Sequence, residues 1–506
     1  MFKKKIIGIS CLAISSLTLA SCHTPYSLPE FKAPKTFDES TTYEIEFWSK
    51  NDGSKVQADI YEKAIESFEK IYPNIKVNLK SYTSYDTIYR DIITNISTGT
   101  TPNVAICYPD NVATYAKGSN IVVSLDKLIN NKSYGLDGTD LKYTAVGKDN
   151  IYTKFFEEGN INGTYYTLPY VRSSEALYIN QDYLKQLIDN NYLSLSDYAN
   201  YGVTSYNEYG VPDIPTWDWL WAASNAALKA KENGIPKTAE NDPTLYPFIY
   251  KSSDNWTIQY LKQMGADYTT IDGEVKLFNS TTTNFLSNLS THALNGEYST
   301  FTLISYPGNF FNKWESLMCI DSTAGSTWIG YDATVHDNAS TAKGDRFETA
   351  VRIIPQVDPT NPQMISQGPS LCIFNKYDTE EVVASWIFMQ YLLTDEIQYS
   401  YAKTEGYIPV TKSAVLNESY QNYLKNADGS EYQVKIDASN IVLDNIDNTF
   451  ITPVFNGSAD VRNAAGYLVN AVTGNPKKYT SVEAIKTLYQ KAITNNNLDQ
   501  LIIADY

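Results

Sequence analysis

Apolar and polar positions alternate through Tyr43-Glu44-Ile45-Glu46-Phe47-Trp48, the period of a strand with one buried face. Asn51–Ser54 reads as a turn. Beyond it Ala58, Tyr61, Ala64, Ile65, Phe68 and Ile71 recur at helical spacing with charges between them, which predicts an amphipathic helix over Lys55–Ile71 closed by Tyr72-Pro73. Ile75–Leu79 alternates as a second strand. Tyr85–Ser97 is predicted as a helix, Gly99–Pro102 breaks it, and the apolar run within Asn103–Cys107 reads as a buried strand. Strands and helices in alternation predict a parallel sheet with crossover helices. The same style continues to the end of the chain. Leu168–Asn180 looks extended, Trp217–Gly234 and Ser253–Met264 look helical, and Leu317–Ile320 and Leu371–Phe374 look like short buried strands. Glu380–Leu393 and Ser481–Asn495 are predicted as further helices, and no internal repeat is visible.

The first 22 residues follow another pattern: Met1-Phe2-Lys3-Lys4-Lys5, an apolar run Ile6–Ala20, then Leu19-Ala20-Ser21-Cys22. A basic start, a short apolar stretch and small residues make an export signal, which is excluded from the fold. The 15 residues of Ile6–Ala20 fall short of the roughly 20 that a membrane-spanning helix needs. Its last four residues resemble a bacterial lipobox, which implies lipidation of Cys22 and a protein anchored on the outer side of a cell membrane. The alternative is an ordinary cleaved secretory signal. Residues 23–40, with Pro25, Pro29 and Pro34, read as an extended linker; at about 3.3 Å per residue it reaches roughly 60 Å.

Length and charge narrow the field. A chain of 506 residues exceeds the size at which single cores stop growing, so two or more lobes are expected. The formal net charge of −17 becomes more negative once Lys3, Lys4 and Lys5 leave with the signal, which argues against nucleic acid and against an electrostatic hold on anionic lipid. Cys107, Cys319 and Cys372 remain after Cys11 and Cys22 are set aside, an odd number among apolar neighbours; they read as buried free thiols. The histidines stand far apart without metal-ligand spacing, and no metal or cofactor is expected. Tyrosine is abundant at 41 residues, but AT-rich coding favours it as well, so the count alone does not establish a sugar-binding surface.

Four blocks carry a resemblance to a known family. The first runs from Phe47-Trp48 to Phe68-Glu69-Lys70-Ile71-Tyr72-Pro73-Asn74-Ile75-Lys76-Val77, and the second from Tyr85-Asp86 to Gly99-Thr100-Thr101-Pro102-Asn103-Val104. The third runs from Leu168-Pro169-Tyr170 through Leu177-Tyr178-Ile179-Asn180-Gln181-Asp182 to Thr216-Trp217-Asp218; the fourth links Gly368-Pro369-Ser370-Leu371 to Glu405-Gly406-Tyr407-Ile408-Pro409-Val410. In this order they resemble the family 1 extracellular solute-binding proteins of ABC importers, the maltose-binding and glycerol-3-phosphate-binding type. The resemblance implies the α/β periplasmic-binding-protein-like type II fold: two discontinuous lobes joined by crossing hinge strands. Residues 41–172 and 371–412 would form the N-terminal lobe, and 173–370 and 413–506 the C-terminal lobe. The crossings would lie near Val171–Glu175, Gln367–Ser370 and Lys412.

The resemblance also implies ligand positions. Trp48 ends the first strand; Tyr85 opens a cleft-side helix; Ser173 lies in the first crossing; Gly325 and Ser326 form a small-residue turn with Trp328 beyond; Gly368 lies in the second crossing; Tyr407 belongs to the Gly-Tyr-Ile-Pro block. Trp256 on a helix edge is added to these. Where the glycerol-3-phosphate group has a glutamate downstream of its Tyr-Asp pair, this chain has Pro109 with Asp110 beside it, and the phosphate-binding arginine has no secure counterpart, although Arg462 lies in its region. Arg172 in the first crossing offers a planar fork of donors for a phosphate or carboxylate, or a partner for Glu175. These departures favour a neutral mono- or oligosaccharide over glycerol-3-phosphate or a related phosphodiester. The expectation is a monomeric, lipid-anchored binding component that delivers carbohydrate to ABC permease subunits and performs no chemistry. The alternative from another class is an extracellular glycan-binding protein or glycoside hydrolase, which would need two carboxylates across a bond.

Overall fold

The computed structural model describes residues 27–51, 55–117, 120–237, 245–331 and 346–505. The expected export signal with Cys22, and most of the turn expected at 51–54, lie outside them. Two five-stranded sheets organise the chain. In the first, strands Tyr43–Lys50, Ile75–Tyr82 and Val104–Cys107 run parallel, with Ser370–Ile373 antiparallel to Val104–Cys107 and paired in turn with Leu168–Pro169. The second places Tyr298–Thr300, Phe248–Tyr250 and Met318–Ser322 parallel, with Glu175–Asn180 antiparallel to Met318–Ser322 and Thr349–Ile353 at the edge.

Each sheet has its own apolar core. Helix Lys55–Ile71 buries Tyr61, Ala64, Ile65 and Phe68 against the first sheet, where Phe47 meets Tyr61 and Phe388 edge-on. Helices Trp217–Lys231, Ser253–Gln263, Ser280–Leu294 and Ser458–Gly474 surround the second. Two separate cores fit the solvated limit on how far one core can grow.

The chain passes between the lobes where Val171–Glu175 and Gln367–Ser370 run side by side. Ser173 N donates to Gln367 O (2.7 Å), Gln367 N to Ser173 O (3.0 Å) and Tyr170 N to Pro369 O (3.0 Å). Gly368 takes φ +135, and a Cβ there would lie 2.5 Å from Val171 O, so only glycine fits this close approach of two backbones. The third passage lies later than Lys412. Helices Lys412–Leu416 and Glu418–Lys425 stay with the first lobe, Tyr420 and Tyr423 in its core. Helix Gln433–Asp444 faces both ways, with Ile436 and Val442 in the first core and Val434 and Ala438 in the second. Its amphipathic pattern has two apolar stripes, which a boundary drawn by resemblance alone does not register.

The stretch before Ser40 also differs from an extended linker over its described part. Leu28 and Phe31 are buried, Asn120 Nδ2 donates to Leu28 O (3.0 Å) and Asn375 Nδ2 to Pro29 O (2.8 Å). A proline-rich strand lacking its own ladder lends its carbonyls to asparagine side chains, and so its described part lies along the first lobe.

Candidate functional site

Between the lobes lies a cavity of about 340 Å³, floored by the second crossing at Ile365–Gly368. The first lobe contributes Tyr108, Pro109, Asp110 and Asn111, where strand Val104–Cys107 ends and helix Pro109–Tyr115 begins. Pro109 at the first helical position loses no intrahelical bond, so the turn is tight and throws Tyr108 and Asp110 to the carboxyl edge of the sheet. Asp86 enters from the first turn of helix Tyr85–Thr98, whose Ser84 cap accepts from Asp86 N, and Glu158 from the end of helix Thr153–Glu157. From the second lobe come Ser252, Asp254 and Asn255, following strand Phe248–Tyr250, and Arg462 on helix Ser458–Gly474. Ligands of parallel sheets sit at this carboxyl edge in general.

Arg462 organises the cavity. Its Nη2 donates to Asp254 Oδ2 (2.8 Å) and to Asn255 Oδ1, while its Nε faces Asp110 Oδ2 of the opposite lobe at 3.8 Å. Burial pulls the guanidinium down, but Asp254 and Asp110 outweigh burial and hold it above its ordinary value. Asp110 moves the other way: burial raises its carboxyl more than Arg462 and Ser458 lower it. Glu158 is likewise raised by burial against the pull of Arg172.

Asn255 carries the site into the hinge. Its Nδ2 donates to Glu175 Oε1 (3.1 Å) and to Gln367 Oε1 (2.9 Å), and Gln367 Nε2 donates to Ser174 O (3.0 Å) and Ser322 Oγ (2.9 Å). Glu175 is fully buried and also accepts from Tyr250 Oη (2.6 Å) and Gln259 Nε2 (2.5 Å). Burial pushes its carboxyl up to about 7, against the pull of the Tyr250 and Asn255 hydrogen bonds. The folded protein therefore keeps this proton to higher pH than the unfolded chain, whose glutamate titrates near about 4.3. Stability is undiminished below that lower value and falls as pH rises toward 7. We expect Glu175→Gln to flatten this decline, a difference of about 4 kcal/mol across the window at most. Urea denaturation of parent and variant at a series of pH values checks it; parallel profiles would refute the assignment.

The cavity gathers only part of the residue set anticipated from sequence. Asp110 and Gly368 line it. Tyr85 stands one ring back, its centroid 4.6 Å from that of Tyr108, and burial, then Tyr407 and Tyr401, hold its phenol well above the ordinary value. Tyr407 is buried behind it, 5.9 Å from Tyr401. Ser173 is buried in the backbone pairing of the crossings. Gly325, Ser326 and Trp328 lie on the turn Thr323–Trp328, outside the cavity lining and against the Gly406 turn of the first lobe.

Three residues stand in the protein interior instead. Trp48 is 2 % exposed, tilted against Tyr82 (5.3 Å) beneath Lys80. Trp256 is fully buried, stacked on Tyr250 at 4.6 Å and on Trp217 at 5.8 Å. Both sit where a sheet or helix is covered on two sides, so an aromatic residue at an element end becomes packing. Arg172 has no exposed surface: its Nη2 pairs with Glu158 Oε2 (2.8 Å) and donates to Ser370 Oγ (3.1 Å), while Nη1 donates to Pro369 O (2.8 Å). It pins the two crossings together, Glu158 reaches the cavity in its place, and Glu175 belongs to the separate network above. Tyr108, Asp254, Asn255 and Gln367 were not singled out from sequence; only Arg462 had a signal, its position in the carboxyl-terminal region.

The family described as bacterial extracellular solute-binding protein matches residues 63–428. Among solved structures, UgpB from Mycobacterium tuberculosis in complex with glycerophosphocholine is 17% identical with a TM-score of 0.65, covering 90% of this chain and 99% of that one. The sugar-binding protein MalE from Xanthomonas citri is 14% identical with a TM-score of 0.63, over 90% of this chain and 98% of its own. Maltose-bound MalE3 from T. maritima is 16% identical with a TM-score of 0.60, over 89% and 99%. At such identities the likeness carries the fold, the type II periplasmic-binding-protein arrangement. No curated sequence matches the chain.

Proposed function

The chain belongs to the bacterial extracellular solute-binding proteins, and from that premise we propose that it is the substrate-binding component of an ABC importer, capturing a carbohydrate between its lobes. One observation carries this reading: a cavity whose walls come from both lobes and whose floor is a crossing strand. Such a site buries a small polar ligand only when the lobes close, and closure gives a membrane permease two distinguishable shapes. Asp86, Tyr108, Asp110, Asn255, Gly368 and Arg462 would meet the ligand. Carboxylates and an amide facing an arginine suit hydroxyl groups, which donate to the first and accept from the last.

UgpB holds glycerophosphocholine, MalE3 from T. maritima holds maltose and MalE from Xanthomonas citri is a sugar-binding protein, which supports a ligand of the glycerophosphodiester or the sugar class. The maltose-like class fits this cavity better, because Arg462 is already engaged by Asp254 and Asp110 and the lining carries an excess of carboxylates that repels phosphate. The protein would pass its ligand on unchanged; Asp110 and Asp254 share one arginine rather than standing across an open bond, which argues against a hydrolase pair. No helix among the described residues is long and apolar enough to cross a membrane. In this reading Cys22 is the lipidated anchor on the extracellular face, and a monomer works with permease and ATPase subunits. Cys22→Ser should then leave the protein in the soluble fraction of fractionated cells.

A thermal-shift screen over mono-, di- and oligosaccharides and glycerol phosphodiesters tests the assignment. A true ligand at about a hundred times its dissociation constant stabilises the native state by about 2.7 kcal/mol. A shift with phosphodiesters alone would install the alternative ligand; release of reducing sugar would install the hydrolase. Tyr85→Ala is expected to weaken ligand binding by loosening the support of Tyr108 while the fold persists. Tyr407→Ala empties a buried ring and should also cost about 3 kcal/mol of stability, read by denaturant titration. Unaltered affinity in both variants would remove this aromatic wall from the site.

A further inference from the structure

The charge around the cavity does not balance. Asp86, Asp110, Glu158 and Asp254 line it against the single lining cation Arg462, and the second guanidinium within reach, Arg172, is spent on Glu158 from beneath. Asp110 and Glu158 are both held toward their protonated forms by burial, even with these arginines beside them, and Asp254 acts on Asp110 in the same direction. The Ser366 hydroxyl, 3 % exposed and without a hydrogen-bond partner, borders the same space from the crossing strand. On the first-lobe side Tyr108 remains 38 % exposed; burial raises its phenol, Arg462 pulls it down, and Asp86 and Asp254 raise it.

Closing the lobes removes water from these carboxylates and strengthens their mutual repulsion. A neutral sugar leaves that cost in place, and a phosphate or carboxylate adds to it. A cation cancels it, and an aromatic face flanked by carboxylates is a favourable seat for an ammonium group. Building on the carbohydrate reading above, we propose that the ligand is an amino sugar, free or within an oligosaccharide, whose protonated amine sits on the Asp86, Tyr108 and Asp110 side of the cavity. Its hydroxyls would take up the Ser366 hydroxyl, Asn255 and Arg462.

Matched pairs of sugars isolate the charge. Isothermal titration near about pH 6, where an aliphatic amine of this kind is protonated, would compare glucosamine with N-acetylglucosamine, galactosamine with N-acetylgalactosamine, and the glucosamine disaccharide with its diacetylated form. The amine of at least one pair is expected to bind about tenfold tighter or better at low salt, and added salt should shrink the advantage. Asp110→Asn and the exposed Asp86→Asn should each reduce it several-fold. Equal or tighter binding of the acetylated or neutral sugars throughout would overturn the amine assignment and leave the carbohydrate reading standing. If neither these sugars nor neutral oligosaccharides bind, both fall together.

Discussion

Gly406→Ala is expected to weaken ligand binding about tenfold or more without touching the ligand, which corresponds to about 1.4 kcal/mol. Gly406 lies in the first lobe, between helix Asp395–Ala402 and strand Ile408–Pro409, and is outside the cavity lining. A Cβ there would lie 2.2 Å from Thr323 O and 2.7 Å from Ser326 Oγ, both in the turn that follows strand Met318–Ser322 of the second lobe. A backbone carbonyl cannot swing aside as a long side chain does, so the lobes have to separate. Separation also stretches the neighbouring hydrogen bond from Thr327 Oγ1 to Glu405 Oε2, 2.6 Å here. The added methyl thus acts on the open and closed populations alone, and a ligand that binds only the closed form loses affinity by the fraction of closed molecules removed. The variant should melt within a few degrees of the parent without ligand and show a larger radius of gyration in solution scattering. Unchanged affinity would mean that this contact is not part of closure.

The second large effect is expected at Arg462. Its guanidinium joins Asp254 and Asn255 on one lobe and faces Asp110 on the other, so Arg462→Ala leaves the largely buried Asp110 and the partly exposed Asp254 without a counter-charge. Removing one partner of such a group costs about 3 kcal/mol, and with it ligand affinity should fall beyond measurement. Arg462→Lys should rescue little, since one ammonium cannot reproduce the planar fork that reaches both lobes. The stability loss should shrink as pH is lowered, because Asp110, whose carboxyl burial already raises, then takes up a proton and its charge no longer needs compensation. Denaturant titrations at neutral and mildly acidic pH read this directly, and a loss that stays constant with pH would show that the arginine matters through packing instead.

Much of the scaffold is legible along the chain. The alternation at Tyr43–Trp48 and the helical spacing of Lys55–Ile71 give elements that the structure contains, because burial of one face imposes a local period. That period is lost where both faces are covered. Phe47 and Trp48 are consecutive and both buried, and helix Ser253–Gln263 is buried at every position from Asn255 to Gln259. There an aromatic residue gives no sign of whether it faces a ligand or the core, which is how Trp48 and Trp256 come to resemble site residues.

Polar residues are less legible still. Arg172 and Arg462 are indistinguishable as sequence, each an arginine near carboxylates, yet one is locked beneath the hinge and the other stands in the cavity. The difference arises from partners far away in the chain: Glu158, Pro369 and Ser370 for the first, Asp254, Asn255 and Asp110 for the second.

The sequence by itself determined the two-lobed α/β class, the family and the strands and helices with one exposed face, since each rests on local composition, on period or on the order of short motifs. Only the tertiary structure decided which side chains share the cavity, where the third crossing runs and which glycine holds the lobes in contact. Those outcomes depend on how two sheets, built from interleaved stretches of chain, bring their carboxyl edges together, and no local pattern encodes a meeting between residues hundreds of positions apart.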